Sequence, residues 1–381
     1  MHVIFIAPHF PANQRNFVRA LKEIGCYVTG IIDSPIQYID AEVRSYLDSY
    51  EEVPSVTSLA AVREAVRKIQ RRGPWVHYLE AAIEAHVLVA AQVREETGIP
   101  GLPFAVTELC RDKLLMKKFL RDKGFAVARD AAIDNANDAR MQAKQIGYPL
   151  IIKPRAGAGA SGTHRVDSDH GLEQVIKELH LEQGNRNCTM EQFLTGHEGF
   201  YDTITVNGQV AFESISHYYP NVLTAMRNRD ISPQLCVTNR VEADSYKELR
   251  VFGRKVINAM GIRTAATHME WFFGNEGLKF SEIGARPPGV GVWDLFSEIN
   301  DIDLYKLWAR AITTGQIKQK PSRRVAGGML SLRPNKDGRI VGYTGVDEMQ
   351  RKYGPNIIRS YFPPIGKNTQ PIEAGYRANA W

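Results

Sequence analysis

"THMEWFFGNEGLKFSEIGARPPG", residues 267–289, decides how the rest of the sequence is read. Two apolar and aromatic runs flank "GNEG", a turn composition, so the segment predicts a β-hairpin. Glu270 and Glu282 stand twelve residues apart on its two arms. With a five-residue loop from Gly274 to Leu278 they face each other about 5 Å apart; a four-residue loop would turn them to opposite faces. Two facing carboxylates repel unless a cation joins them. A hard, oxygen-seeking ion such as Mg²⁺ answers that geometry, because it takes one or two protein carboxylates and completes its shell with water and phosphate. Two solvated strand acids, one of them paired with Arg286, would produce the same pattern, so the hairpin alone does not choose. Arg286 follows four residues past Glu282, and Pro287, Pro288 and Gly289 then stop any helix.

Working upstream, "IIKPRAGAGASG" (151–162) places Lys153 at the end of an apolar strand and follows it with a run of glycine, alanine and serine. Such a run can lay backbone N–H groups around phosphate oxygens, with the lysine as a point charge, although it does not match a P-loop and a surface loop would have the same composition. "MEQFLTGHE" (190–198) offers Glu191 and Glu198 around a strand end, a place where backbone groups can meet a base edge and a carboxylate can accept two ribose hydroxyls.

The rest of the chain supplies the frame. Its 381 residues suit two or three subdomains. A hydrophobic share of 44% with 24% charged residues is that of a globular protein. A net charge of +6 suits anionic small ligands; without a basic stripe interleaved with aromatics, nucleic acid is not expected. No apolar run is long enough to span a membrane, and "MHVIFIAPHF" reads as a first strand rather than a leader, so the expected location is the cytoplasm. Four scattered cysteines show no metal-ligand spacing. "HVIFIAP", "NQRNFVRALKEIG", "YVTGIID", "WVHYLE" and a helix over 81–98 alternate as strand and helix, which predicts a parallel sheet in residues 1–104. "LCRDKLLMKKFLRDKG" (109–124) reads as one helix. Residues 105–315 read as mixed α+β, with a hairpin at Asn207-Gly208. Residues 316–381 read as a small β-rich part with a further hairpin at "NKDG" (335–338).

Taken in order, "RDKLLMKKFL", "PLIIKPRAGAGASG", "MEQFLTGHE", "THMEWFF" and "FSEIGARPPG" resemble the ATP-grasp superfamily, carboxylate–amine ligase type, over about residues 75–315. The resemblance implies an N-terminal parallel-sheet domain, a mobile lid over about 123–190 and a central antiparallel-sheet domain. It implies ATP with one or two Mg²⁺ ions, or Mn²⁺ in their place. Lys113 and Lys153 match lysines that reach the ATP phosphates, and Gly157, Gly159, Ser161 and Gly162 match the flap that closes over them. Glu191 with the backbone of Gln192 and Leu194 falls where the family holds adenine, and Glu198 where it holds the ribose. Glu270 and Glu282 match the metal ligands. Arg286 matches an arginine that steadies the acyl phosphate, which gives the stiff Pro-Pro-Gly tail a purpose. Lys153 and Arg286 are thus the expected catalytic groups.

The reaction implied is activation of a carboxylate as an acyl phosphate, its capture by an amine such as that of an amino acid, and release of ADP and phosphate. His268, close to Glu270 on the same strand parity, is a candidate base or packing residue. Tyr218, Tyr219, Arg227, Arg229 and Arg240, in or beside the irregular 214–240 stretch, are candidate substrate contacts, with Arg240 placed ahead of the other arginines. The partners expected are small molecules, with a homodimer as the commonest assembly. Gly284 stands where many members carry an asparagine, which leaves a second metal ion one side-chain ligand short and keeps a non-catalytic nucleotide-binding regulator open. A biotin carboxylase-like or purine-pathway carboxylase is the other alternative. Members of the family usually run on beyond the point matching "GYRANAW" (375–381) into a further strand and helix.

Overall fold

The computed structural model describes residues 1–156, 162–184, 187–289, 291–371 and 380–381. Strands β1 (His2–Ile6), β2 (Tyr27–Ile32), β3 (Ser49–Glu52) and β4 (Tyr78–Glu80) form a wholly parallel sheet in the order β3-β2-β1-β4. Parallel neighbours need crossovers, here supplied by helices α1 (Arg15–Glu23), α2 (Ala41–Ser45) and α3 (Leu59–Arg72), followed by α4 (Val87–Thr97). Alternate residues of β1 point to opposite faces: Ile4 and Ile6 pack under α3 and α4, whereas Val3 and Phe5 meet Phe17 and Leu21 of α1. The helix expected over 81–98 begins only at Val87. The 81–86 loop instead carries Glu84 outward to two arginines, Arg111 and Arg286.

The expected single helix over 109–124 is two, α5 (Phe104–Leu109) and α6 (Lys113–Asp122). Asp112 breaks the run because its carboxylate caps α6, accepting from the N–H groups of Leu114 and Leu115 at 2.9 and 3.1 Å. Next come β5 (Asp130–Ile133), α7 (Ala136–Ile146), β6 (Leu150–Pro154), β7 (His164–Val166), α8 (Asp169–Glu178) and β8 (Cys188–Gln192), an antiparallel sheet ordered β5-β8-β6-β7 with its own apolar core against α7 and α8.

The central sheet starts with β9 (His197–Val206) and β10 (Gln209–Tyr219), joined at Asn207 and Gly208, both with positive φ as a tight hairpin turn demands. It continues through α9 (Val222–Arg227), β11 (Gln234–Val237), α10 (Lys247–Ala259), β12 (Ala265–Gly274), β13 (Gly277–Gly284), α11 (Val292–Asn300), α12 (Leu304–Thr314) and β14 (Gly327–Leu330), in the strand order β13-β12-β9-β10-β11-β14. One face of this sheet, with Phe200, Ile204 and Phe212, packs on α11 and α12. Trp308 of α12 stacks edge-on against Phe17 of α1, so the central and parallel sheets share one core.

Beyond β14 the described residues hold the eight-residue helix α13 (Val346–Tyr353) and irregular chain, not the β-rich part expected. The "NKDG" hairpin does not form. Asp337 is drawn to Arg229, whose guanidinium donates to it at 2.6 and 3.0 Å, and Arg339 bridges to Asn368 instead. No helix among the described residues is long and apolar enough to cross a membrane.

Candidate active site

The β12–β13 hairpin fixes the acids. Its turn is only two residues, since Gly274 already pairs with Gly277, and the expected five-residue loop is absent. A bulge between Glu270 and Trp271 shifts the register by one residue, and this shift sets Glu270 directly opposite Glu282. The facing arrangement is therefore made by a bulge that carries no turn-like signature in the sequence. Glu198 lies on the same face of the neighbouring strand β9, where its Oε2 accepts from the Val222 N–H at 2.7 Å. Burial, then the charge of Glu270, pushes the Glu198 carboxyl up to about 8. A cation would relieve that repulsion.

The cations face this wall from α6 and β6. Lys113 and Lys117 are i and i+4 on α6, so one helix face presents both. Lys113 Nζ is 3.2 Å from Glu282 Oε2. Lys117, 1% exposed, is ion-paired to Glu191. Lys153 Nζ is 2.9 Å from Glu191 Oε2, a diagonal contact across the β6–β8 pair. Burial and then Glu191 decide these titrations. Burial draws Lys117 down to about 8, Glu191 offsetting part of it. Lys153 ends above its ordinary value because Glu191 and Glu282 outweigh burial. Burial would raise Glu191, but Lys117 and Lys153 hold it at about 2. Glu282 is likewise below its ordinary value, with Lys113 and Lys153 overcoming burial. The end of β6 is tied to the start of α6: Lys113 N–H donates to the Arg155 carbonyl at 3.2 Å, and Arg155 pairs with Asp112.

His268 and Arg286 complete the wall. Nδ1 of His268 is 2.7 Å from Asp202 Oδ1 and its Nε2 is 3.7 Å from Glu270 Oε1. Burial opposes the charge, but Asp202 lifts the imidazole to about 9. Arg286 is ion-paired to Glu84, which Arg111 also holds, so Glu84 stays ionised despite its burial.

The structure thus brings together Lys113, Lys153, Glu191, Glu198, Glu270, Glu282, His268 and Arg286. It adds Lys117, Glu84, Arg111 and Asp202, which sequence reasoning missed. Of these, only Lys117 carried a usable signal, its four-residue spacing from Lys113. Other residues sit differently from expectation. The Glu191 carboxylate faces two lysines, and the Gln192 N–H is spent on the Arg129 carbonyl at 2.8 Å; Leu194 is half-buried just past β8. Tyr218 is buried against Phe200, itself in contact with the His268 ring. Arg240 and Arg227 are exposed. Gly162 has φ 65° and lies against Pro154, whereas Gly157, Gly159 and Ser161 lie outside the described residues.

Three lysines aimed at carboxylates, with two acids paired across a hairpin, form a cradle for a polyanion and its cation. The profile of the ATP-grasp domain matches residues 118–300. Residues 118–300 are an ATP-grasp domain. An L-arginine-specific L-amino acid ligase of Bacillus subtilis is 26% identical over 312 residues, covering 79% of this chain and 73% of that protein. Among solved structures, an L-amino acid ligase from Bacillus licheniformis superposes with a TM-score of 0.76 at 19% identity, covering 100% of this chain and 91% of the other. The N5-carboxyaminoimidazole synthetase of Staphylococcus aureus in complex with ADP gives 0.67 at 15%, covering 93% and 86%. At these identities the solved structures share the ATP-grasp fold with this chain.

Proposed function

We propose that this protein is an ATP-dependent carboxylate–amine ligase that activates a carboxylate as an acyl phosphate and joins it to the amine of an amino acid, releasing ADP and phosphate. The observation that carries the reading is the meeting of Lys113, Lys117 and Lys153 with Glu191 and Glu282 directly beside the Glu270–Glu282 pair; the sequence similarity to an amino acid ligase supports the choice of amine.

The residues fit a magnesium nucleotide. Among the described residues no three histidine, cysteine or acidic side chains form a metal cage of their own, which agrees with a cation that takes most of its shell from phosphate and water. Glu270 and Glu282 would hold it, and when bound it neutralises the phosphate charge. The chain's own part is position and charge. Lys113, Lys117 and Lys153 exchange their carboxylate partners for phosphate oxygens. Arg286, released from Glu84, takes the anionic reacting group. His268, held as an imidazolium by Asp202, is poorly placed to accept a proton and instead fixes the Glu270 carboxylate. The sheet β5-β8-β6-β7 serves as the lid over the phosphates.

Phosphate release measured with panels of amino acids and small acids tests this. Amine-dependent release that disappears in Glu282→Gln is the expected result. Release that depends on bicarbonate instead would make the protein a carboxylase, and ATP binding without turnover would make it a regulator; either outcome overturns the ligase reading.

A further inference from the structure

A second constellation lies at the carboxyl edge of the parallel sheet, where β1, β2 and β4 all end. After β1 the chain turns at Ala7, whose φ of 53° is one that an alanine adopts only under constraint. The turn delivers His9, whose Nε2 lies 3.4 Å from Oδ1 of Asp33, just past β2. The loop after β4 carries Glu84 to Arg286 and, two residues later, ends on His86, the N-cap residue of α4. His86 is 7% exposed, yet its Nδ1 has no hydrogen-bond partner among the described residues, and neither has the buried Nδ1 of His9.

These are unsatisfied groups of complementary kind. α4 is eleven residues long and its N-cap side chain makes no capping bond, so its first turn presents free backbone N–H groups and the positive end of the helix dipole. The groups whose charge reaches the His86 ring are Asp33 and His9. Burial holds both imidazoles below their ordinary range in spite of Asp33, so at neutral pH each offers one N–H and one lone pair. With Nε2–H of His9 turned to Asp33, its Nδ1 is an acceptor. His86 is free to present Nδ1–H beside the helix end. A buried ring nitrogen without a partner is uncommon in a folded protein and points to a group that arrives later. Open parallel sheets receive ligands beyond the carboxyl ends of their strands.

A ligand that satisfies one acceptor and, beside it, a cluster of donors carries an amine and a carboxylate on neighbouring atoms. Resting on the ligase reading, we propose that His9, Asp33, His86 and the first turn of α4 form the subsite for the amino acid that supplies the amine, with its carboxylate on α4 and His86 and its amine toward Nδ1 of His9. The loop that ends on His86 also carries Glu84, the partner of Arg286, so this subsite and the reacting centre are joined by three residues of chain.

The test compares an amino acid acceptor with its carboxamide, which keeps the amine and loses the carboxylate, in MgATP-dependent phosphate release. The wild type is expected to show a KM at least about tenfold lower for the acid. His86→Ala is expected to raise the KM for the acid to that of the amide while leaving the KM for ATP unchanged, and His86→Asn, which keeps an N–H donor, is expected to restore much of the difference. Should His86→Ala fail to fold, His9→Ala carries the test through the amine, which acid and amide share: it is expected to raise both KM values by a similar factor, at least about fivefold, and to leave the KM for ATP unchanged. Equal KM values for acid and amide in the wild type, an unchanged ratio in folded His86→Ala, or unchanged acid and amide KM values in folded His9→Ala would overturn the subsite and leave the ligase intact. Absence of release with every amine would overturn both.

Discussion

The two faces of the central sheet are built by alternate residues of the same strands and are electrostatic opposites. On the face toward α10, Glu213 is buried but accepts from Tyr201 at 2.6 Å, Arg250 at 2.9 Å and Arg254 at 2.8 Å. Burial would raise its pKa, and those three donors together bring it below the ordinary value. Thr203 and Thr267 bond each other at 2.6 Å on the same side. On the other face Glu198 is forced up to about 8, and Asp202 Oδ2 is buried with no partner among the described residues. Charge on the first face is settled within the protein; charge on the second waits for something else, which is where functional groups concentrate.

That contrast can be broken by mutation. The largest effect is expected from the open face: Lys153→Met or Glu282→Gln should lower kcat/KM for ATP by about 10²–10³-fold, the scale of losing one charge-stabilising contact, while the unfolding midpoint barely moves. Glu191 keeps Lys117 in the first variant, so no charge is stranded. Steady-state kinetics with urea denaturation reads both quantities. On the settled face Glu213→Ala should do the reverse, costing about 3–5 kcal/mol because Arg250 and Arg254 lose their common partner, with kcat per folded molecule unchanged. A Glu213→Ala protein as stable as the wild type would erase the distinction.

Much of this was legible because the chemistry sits on short, regular elements. The βαβ alternation of the first hundred residues and the order of the lysine, glycine and acid motifs depend on local sequence, and the fold follows them. The part that escaped depends on long-range contact. The bulge that sets Glu270 opposite Glu282 arises from pairing, not composition. Asp112 is the exception, since its capping bonds from the N–H groups of Leu114 and Leu115 are local and an aspartate before a helical run is itself a start signal. Glu84 lies 202 positions from Arg286, and a polar residue in an apolar run gives no hint of such a partner. The sequence makes Arg229 a candidate substrate contact, yet it holds Asp337, 108 positions away, a pairing that exists only after folding.

A smaller effect should separate the two faces by pH. For Lys117 the fold lowers the pKa from 10.5 to about 8, so the folded state binds fewer protons than the unfolded one between those values. The cost of burying its charge is therefore present in full below about 8 and is relieved as pH rises toward 10.5, and stability contributed by this site climbs across that window. The gain is at most about 3 kcal/mol. Denaturation of wild type and Lys117→Met at a series of pH values should show the wild type catching up with the variant between pH 8 and 10.5. A gap that stays constant would mean that Lys117 is not paying the burial cost the open face implies.

The smallest effect is expected at Arg240. Its place at the end of the strand-like "CVTN" run puts it ahead of the neighbouring arginines for contact with an anionic substrate, but its side chain is exposed past the end of β11, whereas Arg286 is largely enclosed beside Glu84 and Gly284. An exposed guanidinium keeps its hydration and its conformational freedom, so removing it leaves no stranded charge and no cavity. Arg240→Ala should change stability by less than about 0.5 kcal/mol and any substrate KM by less than about twofold. A tenfold rise in KM for one substrate would show that the acceptor reaches the end of β11, and the open face would then extend past the carboxylate wall onto the 238–240 segment.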